Sequence, residues 1–560
     1  MSKGEFIGVA SAMLLGAVFA GPASALDEAT PYVGADHVWA QGYSGSGVEI
    51  GVIDVYLGYW NHPAIAGNYR GYQNFTKASA YWGSHATEVA GAAVSQDATY
   101  KGVAPAAGWW TGQTADKFGM SNEVTQTVAA ETFARGLGDL GGNGVEVITI
   151  SIGFDSVDTS ATDRWSLGLD HIVHENGVTI IVAAGNSGPG LGTLDGLPTG
   201  AYNAIIVGAT GNTNGSPSED YTRLASYSSR GPTSDGRCKP DIVAPGSVLH
   251  LPTLNSGWID GSGTSYATPM VAGGAAVLIG AGRSMGYSTD PKVIKSVLLN
   301  SADKLAGWTH SPTQPLDYNQ GAGQMNLQNA YLQYVPGEKN PGTVPGIGWD
   351  TQEITSTAQN LYVIDGYVKI GEIISATLSW DRIVNATNPA KLENVQYTVD
   401  HLDNLDLYLY DADALIVPLA SSISSVDNVE HIYYTAVAPG RYAIGVKMTA
   451  ALPGSSEIYA LAWHANTMPV LPGDYDRSGY VDQSDYLVWA NHFGQSVVYA
   501  YDSADGNGDR VVDQDDYLVW ANNYGWGHPP SGGQASVPEP ATMLLLTAAC
   551  LPVLLKRRRR

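Results

Sequence analysis

Three separate segments carry the side-chain types that nucleophilic catalysis requires. An apolar run, Gly51-Val52-Ile53, ends in the carboxylate of Asp54, an imidazole follows at His85, and Ser265 lies in a Gly-Thr-Ser sequence. A serine hydroxyl is a weak nucleophile unless a neighbouring base takes its proton. Taken singly, an aspartate that ends a strand is usually a turn former, and Gly-Thr-Ser is usually a loop. Their joint occurrence in one chain indicates a catalytic set.

The sequence around each of these residues resembles a signature of the subtilase family. The matching segments are Gly51 to Asp54 with Asn61-His62-Pro63, His85 to Gly91, and Gly263 to Gly273. Their order, Asp then His then Ser, is that of the subtilisins. The resemblance implies a secreted serine endopeptidase in which His85 is the general base, Asp54 fixes its tautomer and Ser265 forms the acyl-enzyme. This chemistry needs no cofactor.

Two further segments resemble parts of the same family. Ala183 to Gly188 resembles the segment with the oxyanion asparagine, which implies that the Asn186 side chain and the Ser265 N–H stabilise the tetrahedral intermediate. Loss of one such donor costs about 3 kcal/mol of transition-state stabilisation. Ile148 to Gly153 resembles the strand that pairs with an extended polypeptide substrate. The resemblance therefore assigns substrate binding to Ser151, Ile152 and Gly153.

The sequence departs from the family pattern close to two of the predicted catalytic residues. Ala86 stands where a glycine is usual, Glu88 stands where a second histidine is usual, and Val55-Tyr56 replaces Thr-Gly or Ser-Gly. None of these changes removes a reacting group, so they bear on the rate more than on the reaction class. Two alternatives stay open: a catalytically silent surface-binding protein, and an esterase that uses the same three residues.

The hydrophobic pattern divides the chain into domains. Residues 30–335 alternate apolar runs with helical stretches, which predicts an α/β domain with a subtilisin-like, doubly wound, mostly parallel sheet. Asp290-Pro291 predicts the start of a helix through Asn300. Prolines and glycines alternate over 336–350, which predicts a linker. The period then changes to two, which predicts an all-β sandwich over 351–466, either a spacer and stabiliser or a binding domain.

A duplicated unit follows the predicted sandwich. Tyr486 to Asn491 returns as Tyr517 to Asn522, and each copy follows an acidic loop with oxygen side chains at EF-hand spacing. The pair, over 471–527, resembles a dockerin type I module that binds Ca²⁺, with a possible cohesin-like partner. Gly479 is the expected turn residue in the first loop, and Arg510 replaces it in the second. The predicted calcium ligands are Asp474, Asp476, Ser478, Tyr480, Asp482, Asp485, Asp505, Asn507, Asp509, Val511, Asp513 and Asp516.

Both ends of the chain carry targeting patterns. Residues 1–25 match a secretory signal peptide, and little sequence separates it from the catalytic domain, so no folded pro-domain is expected. After a linker at 528–536, residues 537–560 combine Pro-Glu-Pro, a short hydrophobic segment and an arginine cluster. This pattern resembles a PEP-CTERM sorting signal, with a plain tail anchor as the alternative. The resemblance implies a bacterial protein, secreted or at the cell surface, that meets export and sorting machinery.

Composition limits the remaining possibilities. The chain has 560 residues and a formal net charge of -25, which argues for several folded units and against nucleic acid as a partner. Its two cysteines are Cys238 and Cys550, and the second lies in the terminal hydrophobic segment. The exported body would therefore contain no internal disulfide.

Overall fold

The computed structural model describes most of the chain between Leu26 and Gly525. The described ranges are 26–154, 156–211, 220–356, 358–450, 456–468, 472–476, 481–497, 504–507 and 509–525. The predicted signal peptide (1–25), the linker at 528–536 and the predicted sorting signal (537–560) lie outside the described residues. So do Ser478 and Tyr480, two of the predicted calcium ligands.

The N-terminal domain is built from short strands and longer helices. Its strands are β1 (Glu49–Asp54), β2 (Leu57–Gly58), β3 (Tyr69–Asn74), β4 (Trp82–Gly83), β5 (Gly108–Gln113), β6 (Val147–Ile150), β7 (Thr179–Ala183), β8 (Ile205–Thr210), β9 (Ile242–Pro245), β10 (Leu249–Pro252) and β11 (Trp258–Gly261). Its helices are α1 (Leu26–Tyr32), α2 (Ala35–Trp39), α3 (Ser84–Val94), α4 (Glu123–Ala134), α5 (Arg164–Asn176), α6 (Thr264–Met285), α7 (Pro291–Asn300) and α8 (Leu327–Tyr334).

A seven-stranded sheet forms the centre of this domain, with the strand order β3-β5-β1-β6-β7-β8-β9. Every neighbouring pair in it is parallel. Strands of such a sheet are covered by helices on both faces and therefore read as continuous apolar runs. The predicted α/β domain with a parallel sheet is confirmed. The predicted helix at 291–300 is confirmed too, and the Asp290 side chain caps it by accepting the Lys292 N–H at 2.8 Å.

Helix α6 runs through the core of the N-terminal domain. Small residues permit its close packing: a Cβ added to Gly273 would lie 2.7 Å from the Cβ of Val103. Within the described part of the chain, α6 is the one helix long and apolar enough to cross a membrane, and 89% of its most apolar window is buried. Its apolar character is therefore that of a core helix.

The C-terminal β-rich region consists of two main sheets and several short strands. The strands are β12 (Gly342–Val344), β13 (Ile347–Thr355), β14 (Gln359–Ile364), β15 (Tyr367–Val368), β16 (Ile373–Trp380), β17 (Ile383–Thr387), β18 (Gln396–His401), β19 (Asn404–Asp411), β20 (Ala420–Ser422), β21 (Val429–Thr435), β22 (Tyr442–Ala450), β23 (Ser456–Ala465) and β24 (Thr467–Met468). One sheet has the order β12-β14-β22-β19-β20, and the other has the order β13-β23-β16-β21. Leucines of β16, β19 and β23 share one hydrophobic core between them.

The segment predicted as a linker, 336–350, belongs in part to this region. It contains β12 and the first residues of β13, and both Val344 and Trp349 are buried. The indole N–H of Trp349 also donates to the Tyr334 carbonyl at 2.8 Å. Proline is tolerated at the ends of strands and on sheet edges, so the prolines here mark strand boundaries. The linker prediction was wrong because composition alone does not distinguish the two cases.

Buried polar contacts join the two domains. The Nε of Arg382 donates to Asp170 at 2.8 Å, and both side chains are buried. The Ser296 hydroxyl on α7 lies 2.7 Å from that of Ser379 on β16. Because a buried charge is costly unless it is paired, the Asp170–Arg382 pair favours one fixed docking of the domains.

The duplicated unit forms an interlocked pair of helices, α9 (Gln483–His492) and α10 (Gln514–Asn523). The indole N–H of Trp489 donates to the Asp513 carbonyl at 2.7 Å, and that of Trp520 donates to the Asp482 carbonyl at 2.7 Å. Each repeat thus donates the same bond to the other. The internal repeat in the sequence corresponds to this structural symmetry.

Candidate active site

The three predicted catalytic residues lie at the ends of secondary-structure elements. Asp54 is the last residue of β1, His85 is the second residue of α3, and Ser265 is the second residue of α6. In open α/β sheets, ligands bind beyond the carboxyl ends of the strands. The positions of these residues agree with that rule.

Asp54 and His85 form a direct hydrogen-bonded pair. The imidazole Nδ1 of His85 lies 2.8 Å from Oδ2 of Asp54, and Oδ1 of Asp54 accepts the Val55 N–H at 2.7 Å. The aspartate is 2% exposed. A carboxylate held in this way favours the tautomer with a proton on Nδ1, which leaves Nε2 free to accept one.

The pKa of His85 is set by opposing effects. Burial disfavours the imidazolium and would lower the pKa, but the charge of Asp54, its hydrogen bond and the charge of Glu88 raise it above the ordinary histidine value. The balance stabilises a protonated His85. An imidazole in this setting can accept a proton and hold it.

Ser265 is tied to the residue that follows strand β6. Its hydroxyl donates to the Ser151 carbonyl at 3.3 Å, and the Ser151 hydroxyl donates to the Ser265 carbonyl at 2.8 Å. Pro269 explains the second bond, because proline has no N–H to donate to the carbonyl four residues earlier. Both His85 and Ser265 lie in the described part of the chain, and the serine hydroxyl bonds to Ser151 and not to His85.

The Asn186 side chain is oriented by the residue that precedes the predicted nucleophile. Its Oδ1 accepts the Thr264 N–H at 2.9 Å and the Thr264 hydroxyl at 3.2 Å. Its own N–H donates to Oδ2 of Asp195 at 2.5 Å. Because Oδ1 is occupied by two donors, the amide Nδ2 is the group left to bind a further acceptor. Asn186 is exposed, so a substrate can reach it.

The predicted substrate-binding residues follow strand β6 and are not part of it. The strand ends at Ile150, whereas Ser151, Ile152 and Gly153 were expected to continue it. The physical reason is that Ser151 makes its hydrogen bonds with Ser265 and not with a neighbouring strand. Gly153 is exposed, and an added Cβ would lie 2.9 Å from the Leu197 carbonyl oxygen. The exposure of Gly153 leaves its backbone accessible to a substrate.

A buried carboxylate lies behind the histidine. Glu88, one turn after His85 on α3, accepts the Tyr266 hydroxyl at 2.5 Å and the Thr253 hydroxyl at 3.2 Å. The Tyr266 and His85 rings are 5.8 Å apart between centroids. In the sequence, Glu88 stands out only as a departure from the family pattern, and Tyr266 only as the neighbour of Ser265. Their contact joins residues far apart in the chain and has no local signal.

The first acidic loop gathers three of its predicted ligands. Oxygen atoms of Asp474, Asp476 and Asp485 lie within 4.8 Å of one another. Burial, with the charges of Asp476 and Asp474, raises the pKa of Asp485 to about 7. Asp482 caps α9 by accepting the Ser484 N–H at 2.7 Å. The crowding of carboxylates fits a hard cation such as Ca²⁺, which takes oxygen ligands.

The second acidic loop has the same plan. Asp516 is buried and accepts the N–H groups of Gly506 and Asn507, at 2.7 and 3.1 Å. Arg510 has a φ of 71°, the left-handed turn that glycine normally supplies at this position. The arginine therefore keeps the turn at some conformational cost. The other predicted ligands in this loop that the structure describes are Asp505, Asn507, Asp509, Val511 and Asp513.

Comparison with known proteins identifies the family. The subtilase family profile matches residues 45–323. The serine protease AprX of Bacillus subtilis is 32% identical over 339 residues, which cover 56% of this chain and 72% of AprX. Subtilisin Savinase of Lederbergia lenta is 33% identical over 243 residues, which cover 42% of this chain and 78% of Savinase. Pyrolysin of Pyrococcus furiosus is 35% identical over 216 residues, which cover 34% of this chain but only 15% of pyrolysin.

Proposed function

The chain belongs to the subtilase family of serine endopeptidases, and on this premise we propose that it hydrolyses polypeptides outside the cell through an acyl-enzyme intermediate. Ser265 is the nucleophile, His85 the general base, Asp54 the orienting carboxylate and Asn186 an oxyanion donor. The observation that carries the proposal is the 2.8 Å bond between Asp54 and His85, at the sequence positions that match the family. Intact reacting groups at all these positions disfavour a catalytically silent surface-binding protein.

The proposed reaction needs only groups that the chain supplies. Ser265 Oγ attacks the peptide carbonyl carbon while Nε2 of His85 takes its proton, and Asp54 stabilises the resulting imidazolium. Nδ2 of Asn186 and the Ser265 N–H, which has no partner inside its helix, bind the oxyanion. The C–N bond then breaks as His85 returns the proton to the leaving amine. Water repeats the sequence on the acyl-enzyme and regenerates the serine.

Active-site labelling tests this proposal directly. A fluorophosphonate probe is expected to label the folded protein once, and mass spectrometry of a digest is expected to locate the label on Ser265. Casein should be cleaved as well as simple esters. A folded protein that is not labelled, or a label on another serine, would contradict the peptidase assignment. Hydrolysis of esters without any cleavage of casein would support the esterase instead.

The Asn186→Asp variant tests the oxyanion donor. The aspartate keeps an oxygen for the Thr264 N–H but lacks the amide donor, so we expect kcat to fall about 10²- to 10³-fold with little change in KM. This is the range for loss of a side-chain oxyanion donor in subtilisin. Steady-state kinetics on a peptide amide measure it. An Asn186→Gln variant, which retains a donor, should keep more activity, and equal losses in the two variants would argue for a structural role.

The Glu88→Gln variant tests how the buried carboxylate acts on the histidine. A neutral His85 is required as base, so kcat/KM falls as the pH drops through its pKa, which the Glu88 charge helps to raise. Removal of that charge is expected to move the acid limb of the kcat/KM profile to lower pH. Glutamine still accepts the Tyr266 hydroxyl. A Glu175→Gln control, at an exposed site on α5, should leave the profile unchanged; an unmoved profile in Glu88→Gln would refute the coupling.

Calcium binding by the duplicated unit is a second part of the proposal. The carboxylates in both loops fit Ca²⁺, and the ion would hold the loops to their helices. EGTA is therefore expected to lower the helical circular-dichroism signal of a 471–527 fragment, and Ca²⁺ should restore it. Calorimetry should find two bound Ca²⁺ ions in the wild-type fragment and one in its Asp485→Ala variant. Asp515→Ala, at an exposed non-ligand position in α10, is the control and should bind two Ca²⁺ ions like the wild type. A circular-dichroism signal that EGTA leaves unchanged would contradict calcium loops.

Location and partners complete the proposal. The signal-peptide pattern and the C-terminal sorting pattern support export from a bacterial cell, with release or retention at its surface. The dockerin-like resemblance supports a cohesin-like partner for the duplicated unit. The polar contacts between the β-rich region and α7 support a stabilising role for that region.

A further inference from the structure

A cluster of three metal-binding side-chain types lies in the C-terminal β-rich region, away from the proposed triad. His401 ends β18, Asp403 lies in the turn before β19, and Glu457 is in β23. One ligand atom of each lies within 4.8 Å of the other two, and Nε2 of His401 is 4.0 Å from Oδ2 of Asp403. Two ligands bound to one Zn²⁺ at about 2.1 Å lie at most about 4.2 Å apart, so small side-chain movements suffice.

Two carboxylate side chains in this cluster are buried. Asp403 and Glu457 are each 6% exposed. Among the described residues, Oδ2 of Asp403 and Oε2 of Glu457 have no hydrogen-bond partner, although Oε1 of Glu457 accepts the Ile458 N–H at 2.9 Å. Buried carboxylates are normally paired or bound to a metal.

The histidine of the cluster is already oriented as a metal ligand. Its Nδ1 lies 2.9 Å from Oδ2 of Asp400, so the ring donates there and Nε2 keeps its lone pair. Histidine ligands usually donate their second ring N–H to a carboxylate in this way. Nε2 of His401 does not supply a hydrogen bond to Oδ2 of Asp403, because the 4.0 Å between these two atoms is too long for one.

The surroundings leave room for an ion and do not neutralise the cluster. His401 and Glu457 line a cavity of about 290 Å³ between the two domains, which is large enough for a cation and water. The nearby Lys292 is bound to Asp381 at 2.9 Å and to Asp290 at 3.2 Å. His174 bonds to Asp381 at 3.2 Å. These positive groups already have carboxylate partners of their own.

We propose that His401, Asp403 and Glu457 bind a divalent transition-metal cation of the zinc class, with water completing its coordination. One imidazole and two carboxylates form a donor set that Zn²⁺ accepts, and the imidazole disfavours Ca²⁺ and Mg²⁺. The ion would join the turn between β18 and β19 to β23 beside the domain junction. The site is separate from the residues of the proposed peptidase chemistry.

Zinc titration of the full chain tests the site. The tag-free Ser265→Ala chain, which cannot digest itself by the proposed reaction, is stripped of metal, saturated with Ca²⁺ and titrated with Zn²⁺ by calorimetry. We expect one Zn²⁺ per chain and a higher thermal unfolding temperature. His401→Ala and Glu457→Gln should each weaken binding at least about 100-fold, and Asp400→Asn about 10- to 100-fold.

The controls separate this site from other metal-binding groups. His37→Ala removes an exposed histidine that is paired with Asp36 in the N-terminal domain, and it should bind Zn²⁺ like the parent chain. Absence of stoichiometric binding would overturn the proposal, as would binding that the His401 and Glu457 variants do not weaken. Displacement of Zn²⁺ by millimolar Ca²⁺ would overturn the zinc-class assignment. Because Ser265 is replaced throughout, the outcome does not depend on the peptidase proposal.

Discussion

The Ser265→Ala variant is expected to lose about 10⁶-fold in kcat for peptide hydrolysis, the order seen when the triad serine is removed from subtilisin. The alanine leaves nothing to form the acyl-enzyme, so only binding and oxyanion stabilisation remain. The fold should survive, because the lost hydroxyl makes one long bond of 3.3 Å to Ser151. The bond from the Ser151 hydroxyl to the Ser265 carbonyl uses the backbone and persists. Peptide kinetics with thermal unfolding measure both expectations.

A serine elsewhere on the same helix provides the control for this variant. Ser284 is exposed near the end of α6, and Ser284→Ala should match the wild type in activity and probe labelling. If Ser265→Ala retained more than a tenth of the wild-type kcat while remaining folded, the nucleophile would have to be another group.

The Asp54→Asn variant is expected to lower kcat about 10⁴-fold near neutral pH. An asparagine can hold the ring, but its amide presents a donor as well as an acceptor, so His85 is no longer confined to the tautomer with a free Nε2. The imidazolium formed on attack also loses its carboxylate partner at 2.8 Å. The pH dependence of kcat on a peptide amide measures the effect.

A second aspartate–histidine pair in the same domain supplies the matched control. Oδ1 of Asp260 lies 2.7 Å from Nδ1 of His250 in the β10–β11 hairpin, outside the proposed triad. Asp260→Asn breaks the same kind of pair and is expected to leave kcat within about twofold of the wild type, because surface pairs contribute little. A loss below tenfold in Asp54→Asn, or an equal loss in both variants, would count against the proposed role of Asp54.

Much of the catalytic domain was predictable from local patterns. Continuous apolar runs such as Val147 to Ile150 require burial on both faces, and this predicts a parallel sheet covered by helices. Asp290-Pro291 combines a capping side chain with a residue that needs no N–H donor, and the helix starts there. Family resemblance around Ser265 pointed to the subtilases, and the comparisons confirm this part of the prediction.

Other predictions from the sequence were wrong, for identifiable physical reasons. Prolines and glycines at 336–350 suggested a linker, but proline at strand ends is compatible with sheets, and β12 and the start of β13 form there. Ser151 was expected to extend β6, but its hydrogen bonds go to Ser265. In both cases the local sequence permits two backbone arrangements, and contacts with distant residues select one.

The sequence by itself determined which residues carry the proposed reacting groups, their order along the chain, and the spacing of the candidate oxygen ligands in the repeated loops. These depend on residue type and position alone. Only the tertiary structure decided that Tyr266 would bond to Glu88, 178 positions away, behind His85. It also decided that His401, Asp403 and Glu457 would meet, and that one buried oxygen of each carboxylate would have no hydrogen-bond partner within the described ranges. Such contacts depend on how helices and sheets pack, and no pattern of near neighbours encodes that packing.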